Sequence, residues 1–422
     1  MSVTPGYRLV SLTPDRASEM LAVNTWAFTG DMRPEDLEAY ASEIPFSRTR
    51  AFEIEDPSHG DVGTLAGVAA SYTYRMRVPG ASLVPVAGLT WVGVHPGHRR
   101  RGLLRAMMGD HLADARARGE VASALYAAET GIYQRFGYGL AARQVDVRAP
   151  RGASLRPVAG SDALRVRIED ASLERHGGAI ATIQRRLDRP GTPTLDHEEA
   201  LRARFADPLA HRRGSERMRV ALVEEAGGEP VAYAFFRREG RWDDDGNPGG
   251  TVHTWSFGAA GPAAAHRLWS VLLDLDLMGT VKAGPLALDD PLLWLLEDPR
   301  SARARVRDNI WLRIVDVPAA LTAREYLCPV DAVIQVTDPL FHDNAGPWRI
   351  TSRDGEGHVE AAPGEEPDLV IGVQELSAAY LGGVSLAALA GAGLIEERTP
   401  GAVHALAAAF ESTSAPVCNL FF

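Results

Sequence analysis

The stretch "WVGVHPGHRRRGLLRAMMGDHL", Trp91 to Leu112, sets a strand-like run against a basic, glycine-containing turn and then a helical repeat. Leu103, Leu104, Met107, Met108, Leu112 and, just beyond, Ala115 recur at the 3.6-residue period. A helix is therefore expected from about Gly102, with Gly119 suited to its C′ stop. Arg99, Arg100 and Arg101 then stand at the mouth of that helix. Cations there oppose the helix dipole, at a cost of about a few tenths of a kcal/mol. The first N–H groups of a helix also lack intrahelical partners. A bound anion resolves both problems: the N–H groups and arginines meet a phosphate, and Gly102 lets the backbone approach it. The competing reading is a solvated run of charge.

Outward from this stretch, "TLAGVAASYTYRMRV" and "SLVPVAGLTWVGV" read as two strands joined at Pro79 to Ala81, and "EVASALYAAE" as a third. Hairpins beside a strand–helix–strand crossover indicate an α/β unit. A Pro-, Gly- and Ala-rich linker, "RAPRGASLRPVAGSDA", follows. A second block then repeats the order: the hairpin "MRVALVEEAGGEPVAYAFFRREG", the strand and loop "TVHTWSFGAAG", and a helix with Pro262 in its first turn. Where the first block has "GHRRRG", the second has "GAAGPA", so an anion site is expected only in the first. The third block carries a run of strands and then a run of helices, an α+β pattern. The expected limits are 1–147, 148–309 and 310–422.

At 422 residues two or three domains are expected, at about 150 residues each. Composition is that of a soluble globular chain, 45% hydrophobic and 23% charged. A formal charge of −11 argues against nucleic acid as a partner and favours cationic ones. Cys328 and Cys418 form no metal or disulfide motif, which points to a reducing cytoplasm. The start shows no secretory pattern, and "SLAALAGAGLI" is too short to span a membrane. No paired-histidine spacing is present, so no metal is expected, and "WDDDG" reads as a solvated loop tip.

Together, "LTWVGVHPGHRRRGLLRAM", "AAETGIYQRFGYG", "WLRIVDVPAALTAREY" and the terminal "NLFF" closely resemble the Eis (enhanced intracellular survival) family of GNAT N-acetyltransferases. The GNAT turn reads Arg or Gln, two residues, Gly, one residue, then Gly or Ala; Leu104 departs at the last position. The resemblance implies an active N-terminal GNAT domain, a degenerate central one and a C-terminal domain like sterol carrier protein. It also implies a homo-hexamer that uses acetyl-CoA. The acceptors would be amines of aminoglycoside-like compounds or lysine side chains of proteins.

By position, the pantetheine arm falls on Val92, Gly93 and Val94, and the pyrophosphate on Arg100, Arg101, Gly102, Leu103, Leu104 and Arg105. Ala128 and Glu129 supply further cofactor contacts. The general acid falls on Tyr133, with Tyr138 as its neighbouring alternative. A phenol of pKa near ~10 can protonate a departing thiolate. The α-carboxylate of Phe422 would hold the cationic acceptor and pass on its proton. Trp26, Phe28 and Trp91 are expected to line the acceptor pocket or to pack the core beneath it, with Trp91, beside the splayed strand, favoured for the pocket; at Phe28 the family would place an acidic contact. Two alternatives remain at this point. One is a lysine or metabolite acetyltransferase with little action on antibiotics; the other is a lipid-binding protein with an idle GNAT site.

Overall fold

The computed structural model describes residues 4–28, 37–194 and 198–422. Alternating apolar residues build the first hairpin, Leu65–Arg77 against Leu83–Val94. Its turn closes with Ala81 N–H donating to the Val78 carbonyl at 3.0 Å. The expected helix runs Leu103–Ala117, and Gly119, at φ 70°, ends it. It crosses over to the strand Ala122–Leu125, which pairs parallel with Leu83–Val94. This strand–helix–strand unit is the centre of a seven-stranded sheet.

Among the described residues two seven-stranded sheets share one plan. In the first, the order is Tyr7–Ser11, Thr49–Ile54, Leu65–Arg77, Leu83–Val94, Ala122–Leu125, Trp311–Ile314, Gly139–Leu140. In the second it is Arg165–Asp170, Arg219–Glu224, Pro230–Glu239, Gly250–Ala259, Met278–Leu286, Arg143–Pro150, Arg305–Asp308. The sixth position of each sheet is filled by the strand that topology would give to the other. Arg143–Pro150 follows the first unit in sequence but pairs with Met278–Leu286. Trp311–Ile314 follows the second unit but pairs with Ala122–Leu125. The two sheets have exchanged strands.

The exchange bears on the expected limits. Position 147 falls inside Arg143–Pro150, a strand of the second sheet, and the strand just after 310 lies in the first. The helix Leu173–Arg186 was not apparent in the sequence. Gly177 and Gly178 sit within it and weaken its helical signal, while Ser172 caps it by accepting from Arg175 N–H at 3.4 Å.

The third unit packs the five-stranded sheet Glu356–Ala361, Gly346–Arg353, Val330–Thr337, Leu369–Gly372, Ile395–Glu397 against helices that include Val373–Ala379 and Ala402–Phe410. Val373–Ala379 also lies on the first sheet. Ile314 N–H donates to Ser377 Oγ at 2.9 Å, and a Cβ at Gly139 would collide with the Gln374 carbonyl. Arg313 donates to both oxygens of Asp338, at 2.8 and 2.7 Å, with both side chains fully buried.

The last residues thread between the two exchanged sheets. Val417 N–H donates to the Pro190 carbonyl at 3.0 Å. Cys418 N–H donates to Asn309 Oδ1 at 2.7 Å, and the Cys418 carbonyl accepts from Asn309 Nδ2 at 3.0 Å and Tyr126 OH at 2.9 Å. Asn309 lies on the crossover between the sheets, so one buried side chain holds both the exchange and the tail.

Candidate active site

The parallel pairing of Leu83–Val94 with Ala122–Leu125 covers only Val86 to Gly88. From Leu89 to Val94 that edge faces no strand among the described residues. Six residues at about 3.3 Å each leave a slot of about 20 Å. On the other side a bulge sets Trp91 and Val92 opposite Ala69, with Trp91 at φ 54°. A bulge bends the strand and re-aims its side chains. The slot lies at the carboxyl ends of the parallel strands, where open α/β sheets bind ligands.

The basic turn closes one end of this slot. Gly102, at φ 87°, caps the helix, and nothing stands within 4 Å of where its Cβ would be. Arg100 also takes a left-handed conformation, φ 63°. Ala106 N–H donates to the Gly102 carbonyl, so the N–H groups of Leu103, Leu104 and Arg105 precede the first intrahelical bond and find no acceptor among the described residues. Arg99, Arg100, Arg101 and Arg105 are exposed and form no ion pair among the described residues. Three free N–H donors and four guanidiniums without an ion pair among the described residues fall within residues 99–105. That donor set fits a pyrophosphate. Leu104 is half-buried, turned back onto the sheet cluster that Val92 also joins.

Tyr133 stands in the loop after Ala122–Leu125, past the exposed Ala128 and Glu129. Its ring packs on the cluster of Leu89, Leu125 and Trp311, edge-on to Tyr138 with centroids 6.0 Å apart. The Tyr133 hydroxyl has no hydrogen-bond partner among the described residues. Burial and the nearby Glu129 charge push it up to about 12. It therefore keeps its proton across the neutral range. Tyr138 is fully buried instead, and its hydroxyl bonds to Ser123 Oγ at 2.7 Å, which bonds to His111 Nε2 at 2.7 Å. Burial, with the Arg48 charge, pushes His111 down to about 3. This chain is neutral and closed off from the slot.

Phe422 closes the other end. Its ring is buried between Tyr74, at 5.2 Å, and Tyr126, at 5.5 Å. A Cβ at Gly88 would touch it at 3.2 Å, so the tail ends where the two parallel strands part. Phe421 remains 78% exposed.

The three aromatics expected at the acceptor pocket differ in exposure. Trp91 is half-buried against the core under the helix Ala17–Phe28. Trp26 and Phe28 are exposed on the last turns of that helix, and Trp26 meets His95 edge-on at 5.2 Å. Gly93 is covered by the same helix, since its Cβ would touch Ala27 at 3.0 Å. Sequence reasoning missed Tyr74 and Tyr126, which seat Phe422; the alternation in "SYTYRMRV" was the available signal. Glu43 was not singled out in the sequence either, and its carboxylate stands 4.0 Å from His211 Nδ1. This half-buried carboxyl is pushed up to about 7 by burial; its backbone carbonyl accepts from Tyr72 OH, and Tyr72 packs on Tyr74.

Acetyltransferase (GNAT) domain models match residues 8–141 and 196–314, and a sterol carrier protein domain model matches 317–419. The N-acetyltransferase Eis of Mycobacterium tuberculosis is 32% identical, with 98% of each chain covered. The chain belongs to the Eis family of GNAT N-acetyltransferases. An uncharacterised N-acetyltransferase of Streptomyces avermitilis is 39% identical over 84% of this chain and 86% of its own. The crystal structure of Eis1 from Mycobacterium abscessus superposes with a TM-score of 0.80 at 30% identity, covering 99% of this chain and all of that one. The fold is thus two GNAT domains followed by a sterol-carrier-like domain, and the chain is an acetyltransferase enzyme. GNAT enzymes use acetyl-CoA, and the basic turn has the donors to hold its phosphates. No described helix is long and apolar enough to cross a membrane.

Proposed function

We propose that this enzyme transfers the acetyl group of acetyl-CoA to an amine of a cationic acceptor, an aminoglycoside-like polyamine or a lysine side chain. The observation that carries the reading is the set of four unpaired arginines around a free helix N-terminus, opening onto an unpaired strand edge. Acetyl-CoA supplies an activated thioester. Arg100, Arg101 and Arg105 hold its pyrophosphate with the N–H groups of Leu103 and Leu104. Val92 to Val94 offer backbone groups along the slot, and Ala128 and Glu129 border its far side.

Tyr133, protonated through the neutral range, donates to the leaving sulfur. The Phe422 carboxylate and Glu43 supply negative charge for the acceptor's ammonium and pass its proton on through water to solvent. A free α-carboxyl, with pKa near ~3.5, is too weak a base to take that proton outright. The cytoplasm suits the two free cysteines, and a homo-hexamer is proposed on family grounds alone.

The test joins calorimetry with acetyl-CoA to thiol release over a panel of amines. One acetyl-CoA should bind per chain, and polyamines should turn over faster than neutral amines. Residues added after Phe422 should abolish turnover while acetyl-CoA still binds. A fully active C-terminally extended enzyme would remove the tail from the mechanism, and absence of acetyl-CoA binding would sink the whole reading.

A further inference from the structure

A second cation cluster lies on the central sheet, away from the slot. Strand register puts His253 directly opposite Lys282, and Lys282 directly opposite Arg148. Arg305 faces Asp146, two residues from Arg148 on the same strand, and Arg303 lies in the turn just before Arg305. Residues directly opposite share a face, as do residues two apart on one strand. His253, Lys282, Arg148, Arg305 and Arg307 therefore share one face, and with Arg303 they line an open cavity of about 600 Å³.

Like charges directly opposite on neighbouring strands destabilise a sheet. Acidic partners are few here. Asp146 is taken by Arg307, at 2.8 Å, and Glu239 by His253, at 2.8 Å. Arg148, Lys282, Arg303 and Arg305 form no ion pair among the described residues. The chain does not lack carboxylates, with 55 Asp and Glu against 44 Lys and Arg. Cations left unpaired side by side on an acidic protein repeat the pattern of the basic turn. Trp255, half-buried with Arg237 over its ring at 4.7 Å, forms an apolar wall of the same cavity.

We infer that this cavity is a binding site for a small polyphosphorylated anion, separate from the acetyl-CoA slot. Two strand spacings, from His253 across Lys282 to Arg148, span about 10 Å, and Arg303, Arg305 and Arg307 extend the row beyond Arg148. A chain of phosphates can bridge that row where one phosphate cannot. Arginine forks match phosphate oxygens pairwise, and Lys282 adds a point charge. The volume falls within the range of about 300–1,000 Å³ usual for small-ligand sites.

Lys282 is the only lysine of the chain, which makes occupancy directly readable. The full-length enzyme, saturated with acetyl-CoA, is treated with an amine-acylating reagent, and modification of the Lys282 peptide is followed by mass spectrometry. Tripolyphosphate should slow that modification saturably by about 10-fold or more, as two charge-assisted bonds imply. Arg148→Ala and Arg305→Ala should each move the midpoint to higher concentration, by about 10-fold. Arg100→Ala with Arg101→Ala should leave the midpoint in place, which separates this site from the first domain's turn.

Three results would overturn the inference. Equal protection by sulfate at matched ionic strength would be screening alone. Protection by an oligonucleotide and not by tripolyphosphate would make the face a nucleic-acid surface. A Lys282 that reacts only when the protein is diluted would show a second copy of the chain covering the face.

Discussion

In the first sheet, Leu83–Val94 parts from Ala122–Leu125 after Gly88; in the second, Gly250–Ala259 parts from Met278–Leu286 after Thr254. Both gaps lie between parallel strands joined by a helix. The first is bordered by four arginines without acidic partners and a helix whose opening N–H groups are free. The second is bordered by "GAAGPA", with Pro262 opening the helix, and so by one donor fewer. The two arginines beside it are both neutralised, Arg186 by Glu229 at 3.0 Å and Arg189 by Asp289. The tail lines this second gap with Val417 and Asn419 before Phe422 reaches the first. The fold supplies an opening twice; the residues at its rim decide which one has a helix mouth with the donors for a pyrophosphate.

The comparison breaks most sharply at Tyr133, which has no tyrosine counterpart among the described residues lining the second gap. Tyr133→Phe should lower turnover by about 10²–10³-fold, the usual scale of a general acid, while the calorimetric Kd for acetyl-CoA holds. Turnover at the unaltered rate would leave the two gaps chemically alike.

The strand exchange is tested next. Arg313→Met leaves Asp338 buried without its partner, on the strand the second unit lends to the first sheet. A loss of about 3–5 kcal/mol is expected in denaturant unfolding, because an uncompensated buried charge is costly. Arg313→Met together with Asp338→Leu should recover much of it.

Arg100→Ala with Arg101→Ala should raise the Kd for acetyl-CoA by about 10–100-fold, as loss of charge-assisted bonds implies. The effect should shrink with added salt. Binding that is unaffected would mean that the first gap holds its ligand no differently from the second.

The smallest effect concerns the acceptor. Glu43 is pushed up from the usual 4.5 to about 7 by burial, so it is neutral below that value and charged above it. KM for a cationic amine should therefore fall as pH rises through about 7. Glu43→Gln should flatten that dependence and raise KM by about 10-fold at pH 8, one lost charge contact. An unchanged pH profile would remove Glu43 from the acceptor site.

Much of this was legible in the chain itself. The helical period from Leu103, the glycine at 102 and the three arginines state locally what they do, because a helix mouth is a property of about one turn of chain. The contrast between "GHRRRG" and "GAAGPA" was readable for the same reason. Less was visible at Trp91, whose bulge depends on its partner strand, and at Glu43, whose raised pKa depends on what covers it. Leu104 looked like a flaw in the turn. In the fold it packs back onto the sheet with Val92.

By itself the sequence determined the elements, their order and the one turn charged to receive a phosphate, all of which follow from residues within a few positions of each other. Only the tertiary structure decided which sheet each strand joined. Arg143–Pro150 and Trp311–Ile314 have ordinary strand patterns, and nothing in a strand's own residues names its partner. Pairing is settled by the open edges and core faces available when the chain collapses. The same holds for Phe422. Its apolar ring called for burial, but its place at the split of the first sheet comes from Tyr74, Tyr126 and Asn309, drawn from three separate parts of the chain.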